Sequence, residues 1–226
     1  RIEEFFQLEK ENILESVSDL AENMVKRGGG IKSIELKNFT TSMDDYYQLF
    51  LNFETCDAMG ANFINSILER VAVVWSDLIR NTAFFSESEK NIEIIMSILS
   101  NYTPECIVES EVICPVDSLS DSKLNISGKV FAAKIANAVK VSKVDEYRST
   151  THNKGIFNGI DAVALATGND FRAIEACGHA FAARDGSYRG LTDVDISDGE
   201  FRLSLKIPLA LGTVGGLTSL HPLARF

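Results

Sequence analysis

The sequence lacks the features that mark zinc, membrane and nucleic-acid-binding proteins. Its four cysteines form no C-x-x-C pair and its three histidines do not stand at metal-ligand spacing from them, so no metal site is expected. No apolar run reaches the ~18–20 residues that span a bilayer, and no signal-peptide pattern opens the chain. The net charge of −10 argues against nucleic acid as the main partner, because phosphate binding requires concentrated Lys and Arg. These absences predict a cytoplasmic protein with reduced cysteines and no membrane partner.

Apolar periodicity indicates an α+β chain with two domains, the first covering residues 1–100. The predicted elements of this domain are a helix or a broken helix pair over 2–25, strands over 31–39 and 47–53, a helix over 62–79 and a strand over 91–99. The glycine triplet 28–30 ends the first helical region, as glycine commonly does.

The second domain is predicted to follow a hinge at 100–104 and to cover residues 101–226. Its predicted elements are a strand over 106–114, a helix over 124–142, an apolar stretch over 158–167, an alanine-rich helix over 170–184 capped by Asn169 or Asp170, and a strand over 203–211. The chain opens at Arg1 without an initiator methionine, and Phe226 follows soon after a glycine-rich turn. Both ends are those expected of an internal piece of a longer polypeptide.

A motif between a predicted strand and a predicted helix carries the first chemical signal: Asp57-Ala58-Met59-Gly60-Ala61-Asn62. Small residues let a ligand approach the backbone, and the start of a helix offers free N–H groups to a pyrophosphate. The motif is not G-x-G-x-x-G, so it is no Rossmann fingerprint. The residues alone also allow a plain strand-to-helix turn in which Asp57 caps the helix.

Two further segments carry the second signal: Thr150-Thr151-His152-Asn153-Lys154-Gly155-Ile156-Phe157-Asn158-Gly159 and Thr167-Gly168-Asn169-Asp170. They set Lys154 and Asp170 sixteen residues apart among small and amide residues. An amine beside a carboxylate, shielded from water, commonly stabilises a developing oxyanion. Solvated surface charges are the alternative for a lone lysine and aspartate. His152 is expected to shape a loop, and His179 to be a structural histidine.

These segments, followed by Gly212-Thr213-Val214-Gly215-Gly216-Leu217-Thr218, resemble the class II 3-hydroxy-3-methylglutaryl-coenzyme A (HMG-CoA) reductases. The resemblance implies a small, non-Rossmann nicotinamide-dinucleotide-binding domain with a ferredoxin-like sheet and helices, and part of a larger α+β substrate-binding domain. It implies that Lys154 and Asp170 are catalytic and that Arg148 and Asn158 bind substrate. The residues it implies for cofactor binding are Asp57, Ala58, Met59, Gly60, Ala61, Asn62, Asn101, Gly215 and Gly216.

The implied reaction interconverts HMG-CoA with mevalonate and coenzyme A by two hydride transfers, in either direction. Each hydride puts negative charge on a substrate oxygen, where the Lys154 ammonium would stabilise it while Asp170 holds the lysine in place. A weak preference for NADPH over NADH is expected, since by alignment Ala21 stands where an NADH-using relative carries aspartate. The resemblance also implies a homodimer or a higher oligomer of dimers.

Two functional residues of the family have no counterpart in the sequence. One is a general-acid glutamate in an E-P-S-type segment, expected before Arg1, and the other is a thiol-protonating histidine, expected after Phe226. General acid–base help is typically worth about 10²–10⁴-fold, so we expect this chain alone to be nearly inactive. The alternative is a non-catalytic nucleotide- or coenzyme A-binding remnant of the same family.

Overall fold

The computed structural model describes residues 1–212 and Pro222, and the chain divides into two compact units with the boundary between Leu99 and Ser100. Both units mix helices with small sheets, which confirms the predicted α+β class. Every strand pair within the described residues is antiparallel.

The elements of the first unit are α1 (Ile2–Glu15), α2 (Ser18–Val25), β1 (Gly30–Asn38), β2 (Tyr47–Glu54) and α3 (Ala61–Asn81). The first helical region is thus the broken pair that the sequence allowed. Between α2 and β1 the chain turns through Gly28 and Gly30, whose φ angles of 94° and 123° are ones that L side chains rarely adopt. β1 and β2 form an antiparallel hairpin, and the three helices pack around it. The fully buried side chains at their contact are Phe6, Ile13, Val17, Ile34, Ile67 and Ile79.

The strand predicted over 91–99 is wrong, because this segment has no regular secondary structure. Among the described residues, the sheet of the first unit therefore consists of β1 and β2. A strand requires a neighbour that satisfies its backbone groups, and apolar composition cannot supply one. Ile94, Ile95, Met96 and Ile98 remain exposed.

The elements of the second unit are β3 (Ile107–Pro115), a 3₁₀ turn (Val116–Leu119), α4 (Gly128–Ser142), α5 (Glu146–Ala166), α6 (Phe171–Ala182), β4 (Thr192–Ser197) and β5 (Glu200–Pro208). The antiparallel sheet has the order β3-β5-β4. α6 packs on β5, and α5 packs on both α4 and α6. Phe157, Ile174, Phe181 and Ile207 form the core between these helices and the sheet.

Two differences from the sequence prediction bear on function. The lysine-containing segment lies in the middle of α5, so the expectation that His152 shapes a loop is wrong. The short strand β4 was not predicted. Thr192, Val194 and Ile196 alternate with polar residues as in a strand, but aspartate, which stands at 193 and 195, is disfavoured in strands. Within the described residues, no helix is both long enough and apolar enough to cross a membrane.

Candidate functional site

The motif predicted to bind a dinucleotide forms a tight turn between β2 and α3. The chain passes through positive φ at Cys56 (54°) and again at Gly60 (74°). Thr55 closes the turn, because its Oγ1 donates to the Ala58 carbonyl at 2.5 Å and its own carbonyl accepts from the Ala58 N–H at 3.2 Å. A Cβ on Gly60 would stand 2.6 Å from Cγ2 of Thr55. Glycine is therefore required at this position by both the backbone and the space available.

The N-terminus of α3 has no side-chain cap among the described residues. Gly60 is the N-cap residue, and no described side chain accepts a hydrogen bond from the first turn, so the alternative in which Asp57 caps the helix is wrong. Asp57, Ala58 and Asn62 are exposed. The turn thus presents accessible backbone, small side chains and the positive end of a 21-residue helix, a set that fits a pyrophosphate group.

The structure describes three of the other five predicted cofactor-binding residues. Met59 and Ala61 are half-buried on either side of the helix start. Asn101 is exposed and is the second residue of the second unit. Gly215 and Gly216 lie outside the described residues. Asn65, one turn into α3, accepts a hydrogen bond from the Leu99 N–H at 3.0 Å and ties the end of the 91–99 segment to this helix.

The aligned residue on α2 that was expected to influence the choice between NADPH and NADH, Ala21, does not face solvent. Ala21 is 7% exposed and packs in the core of the first unit, so its side chain faces away from solvent. The solvent-facing charges of the last turns are Glu22, Lys26 and Arg27. Lys26 pairs with Glu22 at 2.6 Å, while the Arg27 side chain reaches the Asn23 carbonyl at 3.4 Å. Arg27 is therefore the cation on this surface that no carboxylate neutralises within the described residues.

Polar side chains fix the inner face of α5. Asn153 is fully buried, donates through Nδ2 to the Arg189 carbonyl at 2.9 Å and accepts at Oδ1 from the Leu191 N–H at 3.0 Å. His152 Nε2 lies 2.6 Å from Thr192 Oγ1, and burial together with the Lys143 charge lowers the pKa of His152. These bonds anchor α5 to the segment that enters β4 and set its rotation.

The outer face of α5 carries the predicted functional residues. Arg148, Lys154 and Asn158 are exposed, and Lys154 and Asn158 are four residues apart, so they lie on the same side of the helix. A Cβ added to Gly155 or to Gly159 would meet no atom of the described residues within 4 Å. Glycine in a helix interior is about 1 kcal/mol less favourable than alanine. Packing within the described residues requires neither glycine, so their effect is a strip of bare backbone beside Lys154.

Asp170 lies at the start of α6, where it caps the helix as predicted. Its Oδ1 accepts from the backbone N–H groups of Arg172 at 3.2 Å and Ala173 at 3.4 Å. The Arg172 guanidinium also donates two hydrogen bonds to the carboxylate, from Nε to Oδ1 at 3.0 Å and from Nη2 to Oδ2 at 3.1 Å. The bonds from Arg172 are the main reason that the pKa of Asp170 lies below its ordinary value. Asp170 is therefore ionised at neutral pH.

The expected contact between Lys154 and Asp170 is absent from this structure. Asp170 pairs with Arg172, and within residues 1–212 Lys154 takes part in no ion pair. Arg172 is the residue that sequence reasoning missed. The signal that could have identified it is local, because an arginine two residues after a helix-capping aspartate can reach the same carboxylate.

A family model for hydroxymethylglutaryl-coenzyme A reductase matches residues 1–226. The chain belongs to this family. A class II HMG-CoA reductase from Streptococcus pneumoniae, solved bound to NADPH in open conformations, superposes with a TM-score of 0.80 at 36% identity. That alignment covers 99% of this chain and 57% of the S. pneumoniae chain.

Two curated relatives lead to the same family. The HMG-CoA reductase of Archaeoglobus fulgidus is 34% identical over 218 residues, which are 96% of this chain and 46% of the relative. A probable HMG-CoA reductase of Borreliella burgdorferi is 34% identical over 205 residues, covering 91% and 44%. This reductase-family chain thus spans about half the length of the curated relatives it matches. The predicted family is confirmed, while the roles of individual residues stay predictions.

Proposed function

We propose that this chain provides the dinucleotide-binding unit and the lysine-bearing part of the substrate unit of an HMG-CoA reductase. The full enzyme would interconvert HMG-CoA with mevalonate and coenzyme A using NAD(P)H. The observation that carries the proposal is the outer face of α5, where exposed Lys154 and Asn158 lie beside two glycines that packing does not require. The family membership gives this face its chemistry.

Lys154 would act on the oxygen of the thioester and then of the aldehyde. The bare backbone at Gly155, next to Lys154 in sequence, would let a carbonyl group come close to the helix within the length of the lysine side chain. The ammonium group would then lie against the oxygen that gains negative charge, and this charge is greater in the transition state than in the substrate. Asn158, one turn further along, would donate a hydrogen bond to the same network.

Asp170 would hold Lys154 in place after an exchange of partners. In the present arrangement its carboxylate is bound by Arg172, whose side chain is 76% exposed. An exposed ion pair contributes about 0–1 kcal/mol, so Arg172 can release Asp170 at small cost when Lys154 becomes its partner. Arg148, exposed two turns before Gly155, would bind the free carboxylate of the acidic substrate.

The turn over 57–62 would hold the dinucleotide, with the pyrophosphate at the uncapped N-terminus of α3. When bound, the nicotinamide supplies the hydride. We propose NADPH as the preferred form, because the Arg27 guanidinium is free to bind a 2′-phosphate whereas Ala21 is buried. Asn101, Gly215 and Gly216 are proposed to contribute to this site. We further propose a cytoplasmic homodimer.

The test compares this chain with the full-length protein that contains it. NADPH oxidation is followed by absorbance, with and without HMG-CoA, and NADPH binding is measured in parallel by fluorescence. We expect HMG-CoA-dependent oxidation by the full-length protein and binding with little turnover by the 226-residue chain. Cofactor binding without turnover in both proteins would instead support the alternative, a non-catalytic nucleotide- or coenzyme A-binding remnant. No binding in either would contradict both proposals.

A further inference from the structure

A pair of carboxyl groups lies between α5 and α6 and has no part in the proposed reaction. Asp161 belongs to α5 and Glu175 to α6, and both residues are half-buried. Oδ1 of Asp161 is buried, and no N–H or O–H group of the described residues donates a hydrogen bond to it. Glu175 on α6 is the acidic neighbour of Asp161, since the effects that raise the pKa of Glu175 are burial and then the charge of Asp161 and a hydrogen bond to it. Two ionised carboxylates cannot form a hydrogen bond, so this contact requires one proton.

The surroundings of Glu175 favour its protonated form. Burial, then the charge of Asp161 and the hydrogen bond to it, raise the pKa of Glu175, and the nearby His179 opposes these effects. His179 is itself held by Tyr188, with Nδ1 2.7 Å from the phenol oxygen. A protonated Glu175 would donate to Oδ1 of Asp161 and satisfy this buried acceptor.

The cations of β5, the strand that also packs on α6, are engaged elsewhere. Arg202 binds Glu111 at 2.7 Å and Lys206 binds Glu109 at 2.5 Å, both across the sheet on β3. Arg172, the nearest cation on α6 itself, binds Asp170. Each of these three cations therefore has its own carboxylate partner, and none of them pairs with Asp161 or Glu175.

The pair lies in the apolar contact between two helices that carry the predicted functional residues. Phe157 and Ala164 on α5 and Ile174 on α6 flank it and are buried. Asp161 follows Asn158 by three residues and Lys154 by seven, so all three lie on one side of α5. Glu175 follows the capping Asp170 by five residues. A bond between Asp161 and Glu175 would thus join the two helices one turn after Asn158, two turns after Lys154 and five residues after Asp170.

We propose that Asp161 and Glu175 share one proton and act as positioning residues that fix α5 against the start of α6, so that Lys154 and Asn158 keep a defined place relative to Asp170. This role rests on the proposed function. In a uniformly apolar contact the two helices can shift along each other when side chains change rotamer. A buried hydrogen bond forms at only one relative position of the helices. Displacement of a reacting group by about 1 Å can reduce a rate about 10²-fold.

The first arm of the test measures kinetics of the full-length protein. Glu175→Gln keeps a neutral donor toward Asp161 and should retain kcat within about 3-fold, whereas Glu175→Ala leaves the Asp161 oxygen unpaired and should lower kcat by at least about 10-fold with KM little changed. Glu105→Gln, at an exposed carboxyl of the same unit, is the matched control. An equal kcat per folded molecule for wild type, Glu175→Gln and Glu175→Ala would overturn the positioning role.

The second arm needs no activity and uses the 226-residue chain. The raised pKa of Glu175 contributes stability at acid pH, and this contribution is lost as pH rises through the folded-state value. The side-chain amide of Glu175→Gln remains a hydrogen-bond donor at every pH. The Tm of this variant should therefore exceed the wild-type Tm by about 2–4 °C at pH near 8, and the difference should vanish near pH 4. A difference independent of pH would show that no proton is shared.

The two arms separate this inference from the proposed function. A full-length wild-type protein that does not oxidise NADPH with HMG-CoA would contradict the reductase proposal and, with it, the positioning role. The pH-dependent Tm difference would then still establish the shared proton. Reductase activity together with a flat Tm difference would reject the shared proton and leave the proposed function standing.

Discussion

Replacement of Lys154 by alanine in the full-length protein separates the effect of this residue on chemistry from its effect on folding. Lys154 is exposed, forms no ion pair within the described residues and lies in a helix that alanine also favours. We therefore expect the free energy of unfolding to change by no more than about 0.5 kcal/mol. If the ammonium stabilises the developing oxyanion, its loss should lower kcat about 10²–10³-fold, as for other oxyanion donors.

The assay is NADPH oxidation with HMG-CoA, with the NADPH dissociation constant and Tm measured on the same preparations. Lys134→Ala, at an exposed lysine of α4, is the matched control and should leave all three quantities unchanged. Lys154→Arg keeps the charge but replaces a compact ammonium by a longer planar group, so we expect partial activity. Retention of more than about one tenth of kcat by Lys154→Ala would refute the assignment, since that corresponds to less than about 1.4 kcal/mol of barrier.

Three further predictions follow from geometry described above. Gly159→Ala should raise the free energy of unfolding by about 0.5–1 kcal/mol because its Cβ meets open space, and should also raise the KM for HMG-CoA because it covers the bare backbone. Gly178→Ala should instead lower the free energy of unfolding because its Cβ would meet the Phe157 ring. Urea titration measures the stability of the variants and steady-state kinetics measures the KM. Asp170→Ala should lower the free energy of unfolding by about 1 kcal/mol through loss of the N-cap. Because the pKa of Asp170 is lowered, wild type should be more stable than the variant above the ordinary aspartate pKa, and this difference should vanish as pH falls through the pKa of Asp170 in the folded protein. Tm measured between neutral and acid pH tests this. Arg27→Asp should shift preference from NADPH toward NADH by at least about 10-fold in the ratio of dissociation constants, and an unchanged ratio would contradict the role of Arg27.

Elements with strong local signals were predictable from sequence. The alternating hairpin strands β1 and β2, the apolar stripe of α3 and the aspartate that caps α6 all appear where residue periodicity and capping chemistry place them. The turn between β2 and α3 was located by its small residues. These features depend on interactions within a few residues of each other, which a single sequence contains.

The helix that carries Lys154 was harder to predict, for a physical reason. Its inner face is held by polar groups, with Ser149 and Asn153 fully buried, and its outer face contains two glycines. Neither face therefore shows the apolar period that identifies a helix. The bonds that make buried Asn153 favourable come from the carbonyl of Arg189 and the N–H of Leu191, more than thirty residues away.

The partners of charged residues were also beyond reach of the sequence. Lys154 and Asp170 were matched as a pair by family resemblance, yet a carboxylate binds whichever cation the fold brings closest, and here that is Arg172. Burial of Ala21 likewise depends on how α2 rotates against α3, which one aligned position does not determine. Charge pairing and helix rotation are tertiary properties, and one sequence constrains them weakly.

The exposed 91–99 segment has a consequence for handling the isolated chain. It combines Ile94, Ile95, Met96 and Ile98 with a single charged residue, Glu93, and contains no proline. Short stretches of this composition nucleate intermolecular β-sheets when they are accessible. Concentrated solutions of the 226-residue chain should therefore self-associate through this segment, and a lysine at position 95 should delay the onset of turbidity without altering the hydrophobic core.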